Sequence, residues 1–229
     1  MGVEAWQAGI DDLEVAWGEI AASSSEVPGW VAAIAELRIR HLELVQDGHW
    51  RSGPADFLSV LGQRHRETYH SSAIAWLARP EGHHGLGDRF LRNLLAECGS
   101  TAVDLLDDQP NSPVHVRTEV TMGDCRADII VTTALGRLLI ENKTGAPESP
   151  NQLQTYHDLF DDGVTRFAFL SPKGRAPVSA GDTIDAWMCI SYAQVRDALR
   201  SSIGANDSPE GRAADVARSY LAGLEVAFP

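Results

Sequence analysis

The strongest constraint on the fold of this chain is a pair of apolar runs with little between them: Arg126-Ala127-Asp128-Ile129-Ile130-Val131, then Arg137-Leu138-Leu139-Ile140-Glu141-Asn142-Lys143. Ile, Val and Leu dominate both, and residues 132–136 leave room only for a tight connection, so the runs read as adjacent strands of one sheet. One carries a lone Asp and the other ends in Glu-x-Lys. Side chains alternate across a strand, which puts Glu141 and Lys143 on one face and turns Asn142 away. In-register pairing sets Asp128 opposite or diagonal to Glu141. Two carboxylates at the polar ends of buried strands suit a hard divalent cation, and an ammonium beside them suits the orientation or deprotonation of an attacking water. That combination is matched to hydrolysis of phosphate esters.

A surface hairpin with a solvated Glu–Lys pair would be written in the same letters, and such a pair contributes almost nothing. Residue usage decides between the two readings. The chain has 17 Arg, whereas Lys143 and Lys173 are its only lysines. Arg would serve any solvated pair equally well, but it cannot supply a compact ammonium whose proton affinity shifts readily.

At these residues the chain resembles the PD-(D/E)XK nuclease superfamily, the restriction-endonuclease-like fold, over roughly residues 55–172. The resemblance implies an α/β core, a central mixed β-sheet of four to five strands flanked by helices. It further implies Mg²⁺ held by Asp128, Glu141 and the backbone carbonyl of Asn142, with Mn²⁺ as a substitute and Lys143 positioning the water. Ala127 stands where the family's name has Pro, a position that varies. Glu67-Thr68-Tyr69-His70-Ser71, then Ile74-Ala75-Trp76-Leu77 and His83-His84-Gly85-Leu86-Gly87, is similar to the N-terminal signature of a bacterial subfamily. That similarity implies that Glu67, on the first core helix, reaches the metal. Gln152 and Tyr156 share one helical face after the Glu-x-Lys run. They match a family helix in which the Gln faces the active site, with Tyr156 taken as a substrate contact. The implied activity is Mg²⁺-dependent phosphodiester hydrolysis, of DNA foremost, in bacterial defence against foreign DNA. An RNase, or a non-catalytic or partner-activated interaction module on the same fold, remains the alternative.

Taken in order, the chain opens with Trp6, Ile10, Leu13 and Trp17 at helical spacing, up to Ser23-Ser24-Ser25. Pro28 opens a second amphipathic run, Trp30 to Val45, closed by Gly48. Residues 1–48 thus predict an N-terminal helical hairpin, ahead of a nuclease-like domain over 49–229. Beyond Ser52-Gly53-Pro54, a helix capped at Asp56 is predicted to run from Phe57 past Glu67 to Leu77. Arg64, Arg66, Arg89 and Arg92 lie where phosphates would be met. Adjacent His83 and His84 lack the spacing of a helical zinc site and read as loop residues with hydrogen-bonding roles. A helix over Asp88 to Leu95, a loop over 99–113 and a strand over Val114 to Val120 follow, with Glu119 as a further candidate acid. After the central strands come a helix (Asn151 to Phe160), a strand (Thr165 to Leu170) and a basic loop whose Lys173 and Arg175 are candidate phosphate contacts. A strand over Asp185 to Ser191 and helices over Tyr192 to Ile203 and Gly211 to Val226 complete the prediction. No Gly-rich phosphate loop supports an NTPase or a dinucleotide enzyme.

The net charge of -13 opposes nucleic-acid binding, which draws its affinity from Lys and Arg neutralising phosphates. The acid is uneven: residues 1–48 hold nine acidic against two basic side chains, whereas 49–100 hold six basic against five acidic. The acidic helical surface is therefore expected to serve a homodimer or another protein partner. Three widely spaced cysteines indicate neither a disulfide framework nor a zinc cluster. No apolar run approaches the length of a membrane span and the acidic start is unlike a signal peptide, so the expectation is a cytoplasmic protein without membrane association.

Overall fold

In the computed structural model the apolar runs become five strands: β1 (His115–Met122), β2 (Cys125–Thr132), β3 (Arg137–Asn142), β4 (Thr165–Ser171) and β5 (Trp187–Ser191). They lie side by side in chain order, β1 to β3 antiparallel, β3 to β5 parallel. The parallel half needs a crossover, and the helix α5 (Gln152–Phe160) supplies it between β3 and β4. The structure describes residues 15–16, 18, 27–49, 53–54, 56–99, 104–106, 112–204 and 210–229.

The chain divides into two compact units, Met1–Gly53 and Pro54–Pro229. In the first, helix α1 is Val27–Gln46; Gly48, at φ 72°, ends it with an N–H donated to the Val45 carbonyl. The four apolar positions of the helix predicted before it lie outside the described residues.

In the second unit both faces of the sheet are covered, which is why β3 and β4 read as nearly continuous apolar runs. On one face, α3 (Glu67–Leu77), α4 (Arg89–Cys98), α6 (Tyr192–Ile203) and α7 (Arg212–Ala227) pack against Ile129, Val131, Leu138, Ile140, Ala168 and Leu170. On the other, α5 covers Ala127, Ile130, Leu139, Phe167 and Phe169. Each fully buried Leu, Ile or Phe among these contributes about 1.5–3 kcal/mol relative to exposure.

Three local departures from the predicted pattern matter. The helix expected to run unbroken from Phe57 to Leu77 is two helices, α2 (Phe57–Val60) and α3, because Gly62 at φ 67° turns the chain out of helical geometry. The break makes Glu67 the first residue of α3 instead of a mid-helix position. Second, β1 and β2 change face together. Val116 and Ile129 pack on one side of the sheet and Val120 and Ala127 on the other, although Thr118↔Ile129 and Val120↔Ala127 keep one register. Between those pairs Glu119 is forced to φ 52°, a conformation rare outside Gly, and Asp128 lies across from it. Third, the residues just before β5, expected to be strand from Asp185, form a short 3₁₀ turn, Gly181–Ala186.

Candidate active site

The C-terminal end of β3 is held differently on its two faces. Asn142, fully buried, donates through Nδ2 to Ser71 Oγ and the Glu67 carbonyl, both at 3.1 Å, and its Oδ1 accepts from Tyr192 OH at 2.8 Å. Glu141 points the opposite way, where its Oε1 accepts from Gln152 Nε2 at 2.7 Å and lies 3.2 Å from Lys143 Nζ. The Ile129↔Ile140 pairing, extended by one step, puts Asp128 across from Glu141, and Asp128 Oδ2 accepts the Asn142 N–H at 2.8 Å. The Lys143 N–H donates to the Leu170 carbonyl, continuing the ladder to β4. Strand alternation has thus placed Glu141, Lys143 and Asp128 together and Asn142 behind them, as the spacing predicts.

Glu67 arrives from α3. Its Oε1 accepts from the backbone N–H groups of Thr144, Gly145 and Ala146 at 2.8, 3.4 and 3.3 Å, and its Oε2 lies 4.0 Å from Lys143 Nζ. One oxygen therefore pins the turn after β3 and the other faces the site.

These charges are poorly solvated. Burial, then the charge of Asp128, pushes the Glu141 carboxyl up to about 8 against the opposing pull of Lys143. Burial also raises Asp128, although the Asn142 N–H and Lys143 work the other way. For Lys143, burial acts to lower the ammonium's proton affinity, but Glu141, with Glu67 and Asp128, outweighs it and carries the group above its ordinary value. Lys143 is accordingly a firmly held ammonium in this charge state, and its electrostatics do not favour taking a proton.

The remaining feature is an unmet need. Glu141 Oε2 is buried without a hydrogen-bond partner, a state that costs free energy unless a cation or donor fills it. Among the described residues no three His, Cys, Asp or Glu side chains form a ready metal cage. Two carboxylates on adjacent strands are nonetheless a normal protein share for Mg²⁺, which keeps water and phosphate oxygens in its other positions. The orphaned oxygen and the two raised carboxyl groups fit such a hard cation.

Two clefts flank the 144–146 turn. One, about 340 Å³, is lined by Lys143, Pro172, Lys173 and Arg175; the other, about 470 Å³, by His65, Arg66, Glu67 and Thr68. A family model described as the PD-(D/E)XK nuclease superfamily matches residues 55–222. The chain belongs to the PD-(D/E)XK nuclease superfamily. Membership implies nuclease activity, and divalent cations are general in this superfamily. No curated protein and no solved structure matched the chain. The PD-(D/E)XK match takes in the whole strand framework, from the helix bearing Glu67 into α7, and so extends past residues 55–172.

Within this nuclease framework, two residues expected to meet substrate also make supporting contacts. Tyr156 is buried, its hydroxyl donating to the Arg126 carbonyl at 2.8 Å and accepting from Gln152 at 3.3 Å, so that it holds the glutamine that holds Glu141. Arg175 stacks over Phe169 and pairs with Glu148 at 2.6 Å. Lys173 and Arg175 both line the cleft beside Lys143. Glu119 is exposed and pairs with Arg126 at 3.6 Å. His84, fully buried, bonds the Trp76 and Arg79 carbonyls and the Leu86 N–H, the loop role expected of it.

Sequence reading missed Glu148. Its Oε2 accepts from the Val178 N–H, the Ser179 N–H and Ser179 Oγ, at 2.9, 2.9 and 2.7 Å. Burial opposes ionisation, but those bonds and Arg175 hold its carboxyl below the usual range. It ties the wall of the cleft to the segment that follows β4. A Glu in a Gly/Pro-rich connection carries no periodic signal, and its partners lie some thirty residues away.

Proposed function

We propose that this chain is a divalent-cation-dependent nuclease that hydrolyses phosphodiester bonds in DNA. The observation that carries the reading is the buried, unpartnered Glu141 Oε2, set beside Asp128 and Lys143 at the end of β3. Asp128 and Glu141 would hold Mg²⁺ or Mn²⁺, with the Asn142 carbonyl and Glu67 Oε2 as further oxygen donors. When bound, the cation offsets charge developing on the phosphate and makes water more acidic. Lys143, kept as an ammonium, orients the attacking water and adds positive charge where the phosphate becomes more negative. Gln152 fixes the rotamer of Glu141, and Tyr156 fixes Gln152. A backbone crossing the 144–146 turn meets Arg66 on one side and Lys173 on the other.

The resemblance to a bacterial nuclease subfamily supports foreign DNA as the target, in a cytoplasmic defence setting. The nine-to-two acidic imbalance of residues 1–48 supports a second role for that region, as a contact surface for a partner protein or a second copy that modulates activity. The deciding experiment is incubation of the protein with labelled single- and double-stranded DNA and RNA in Mg²⁺, Mn²⁺ or EDTA. Cation-dependent cleavage of DNA that fails in Glu141→Gln is the expected result. Cleavage of RNA alone would overturn the substrate; cleavage in EDTA would overturn the cation.

A further inference from the structure

The hairpin of β1 and β2 changes face part-way along, and the change falls on the residue that carries the first carboxylate of the site. Residues two apart in a strand share a face, yet Ala127 packs in the cluster of Leu153 and Tyr156 from α5, while Ile129 packs in the cluster on the other side of the sheet. Val116 and Val120, four apart in β1, are divided in the same way. The register runs through unchanged, from Thr118↔Ile129 to Val120↔Ala127, so neither strand has gained a residue. The roll is taken up within the strands, at Glu119, whose φ is 52°, and at Asp128 across from it.

At the same place β2 leaves β3. Ile130↔Leu139 and Ile129↔Ile140 are paired, and continuing that register would set Ala127 opposite Asn142, with a backbone carbonyl for the Asn142 N–H. The pairing stops instead at Ile129, and Asp128 Oδ2 takes the Asn142 N–H at 2.8 Å. Beyond the break the hairpin is fastened to α5, the Arg126 carbonyl accepting from Tyr156 OH at 2.8 Å. A carboxylate thus stands where the ladder would have a carbonyl. The Glu119 side chain takes no part in this: it is exposed and 3.6 Å from Arg126, a pairing of the kind that contributes little.

We propose that Glu119 is a positioning residue for Asp128 and that it acts through its backbone: the left-handed φ at 119 rolls the end of the β1–β2 hairpin onto α5, parts it from β3 and turns the Asp128 carboxylate toward Asn142. Where Asp128 is held is independent of the proposed cation site; only the consequence for cation binding rests on that reading. Left-handed backbone is free of strain for Gly, uncommon for an unbranched side chain and worst for a β-branched one. The backbone freedom of residue 119, and not its charge, therefore sets the place of Asp128.

The test compares Glu119→Gly, Glu119→Ala and Glu119→Val in the full-length protein, first without cation. Glu119→Gly should melt at or above wild type, the reverse of what Gly does in an ordinary strand. Amide hydrogen exchange followed by NMR reads the bond from Asn142 to Asp128, and the Lys143 N–H, bonded to Leu170 on the β4 side, is the internal reference. Relative to Lys143, the Asn142 amide should exchange as in wild type in Glu119→Gly and Glu119→Ala, and at least about tenfold faster in Glu119→Val. Mn²⁺ titrated by calorimetry should bind the Gly and Ala variants as it binds wild type, and Glu119→Val at least about tenfold more weakly. Melting of Glu119→Gly below wild type, loss of Asn142 protection in Glu119→Gly or Glu119→Ala, or unchanged protection or Mn²⁺ affinity in Glu119→Val overturns the proposal. If circular dichroism shows that Glu119→Val does not fold, the melting of Glu119→Gly and the exchange in Glu119→Ala decide it. If wild type binds no Mn²⁺, the cation reading falls, and melting and exchange still decide the role of Glu119.

Discussion

Replacing Glu141 with Gln removes one negative charge from the least solvated carboxylate of the site and barely changes its shape, so the substitution isolates the electrostatic cost of the site. The unfolded chain gives up the Glu141 proton near the ordinary value of 4.5, and the folded chain only near about 8. Between those values the folded state holds more protons, and the stability of the cation-free protein falls as pH rises, at up to about 1.4 kcal/mol per pH unit. Across the whole window the loss approaches about 5 kcal/mol, shared with Asp128 because the two titrate as a pair. Lys143 adds no slope there, since a raised ammonium loses its contribution only above its ordinary value of 10.5. At about 2–4 °C per kcal/mol for a domain of this size, the wild-type melting temperature should drop by about 10 °C or more between pH 5 and pH 9.

Glu141→Gln should flatten most of that slope, melting close to wild type near pH 5 and above it near pH 9. Saturating Mg²⁺ or Mn²⁺ should restore the wild type at high pH, by about 2.7 kcal/mol at a hundredfold excess over Kd, and should leave the variant unmoved. Differential scanning fluorimetry over pH, with and without cation, reads all of this without a substrate. A flat wild-type profile, or the same slope in Glu141→Gln, refutes the reasoning from the buried carboxylate pair, whatever the enzyme cleaves.

Asp128→Ala should lower DNA cleavage by about a thousandfold or more while the cation-free melting temperature near pH 8 stays within a few degrees of wild type, because the lost bond to the Asn142 N–H is offset by relief of repulsion at Glu141; gel cleavage and melting, run on the same sample, check it. Lys143→Arg keeps the charge but puts a planar fork where Glu141 and Glu67 leave room for a compact ammonium, and should cleave at about a hundredth of the wild-type rate or less. Parental activity in that variant would reduce Lys143 to a counter-charge. Glu148→Ala should destabilise the domain by about 2–4 kcal/mol in chemical denaturation, since Arg175 and three donors at Val178 and Ser179 lose a common acceptor.

How far the sequence could be read follows the range of the forces involved. Strand alternation is local, so the opposed faces of Glu141 and Asn142, the facing of Asp128 and Glu141, and the Gln152 and Tyr156 pair on one helical face were all available from spacing alone. The helix break at Gly62 was also written locally, but an apolar pattern running across it masked the glycine. The exchange of faces at Glu119 and Asp128 was not readable, because a non-glycine residue at φ 52° is imposed by the surrounding sheet rather than by its own preference. Equally silent were the bond from Val178 to Glu148 and the bond from Tyr192 to Asn142, whose partners are 30 and 50 residues distant.

The two kinds of information meet at one strand end. Asn142 is fastened to the helical layer through Ser71, Tyr192 and the Glu67 carbonyl, and the residue beside it, Glu141, is fastened to α5 through Gln152. A strand end gripped from both faces cannot rotate to carry its carboxylate toward water, so Glu141 stays in a place where its charge is unfavourable. The same grip aligns the Asn142 N–H with Asp128, bringing the second carboxylate close enough to raise the first. The framework thereby holds two like charges together at a loss of stability, and a cation placed between them would recover that loss. Such coupling is the physical link from the buried packing of β3 to the proposed chemistry, and it explains why a carboxylate oxygen of the site, Glu141 Oε2, is buried without a partner.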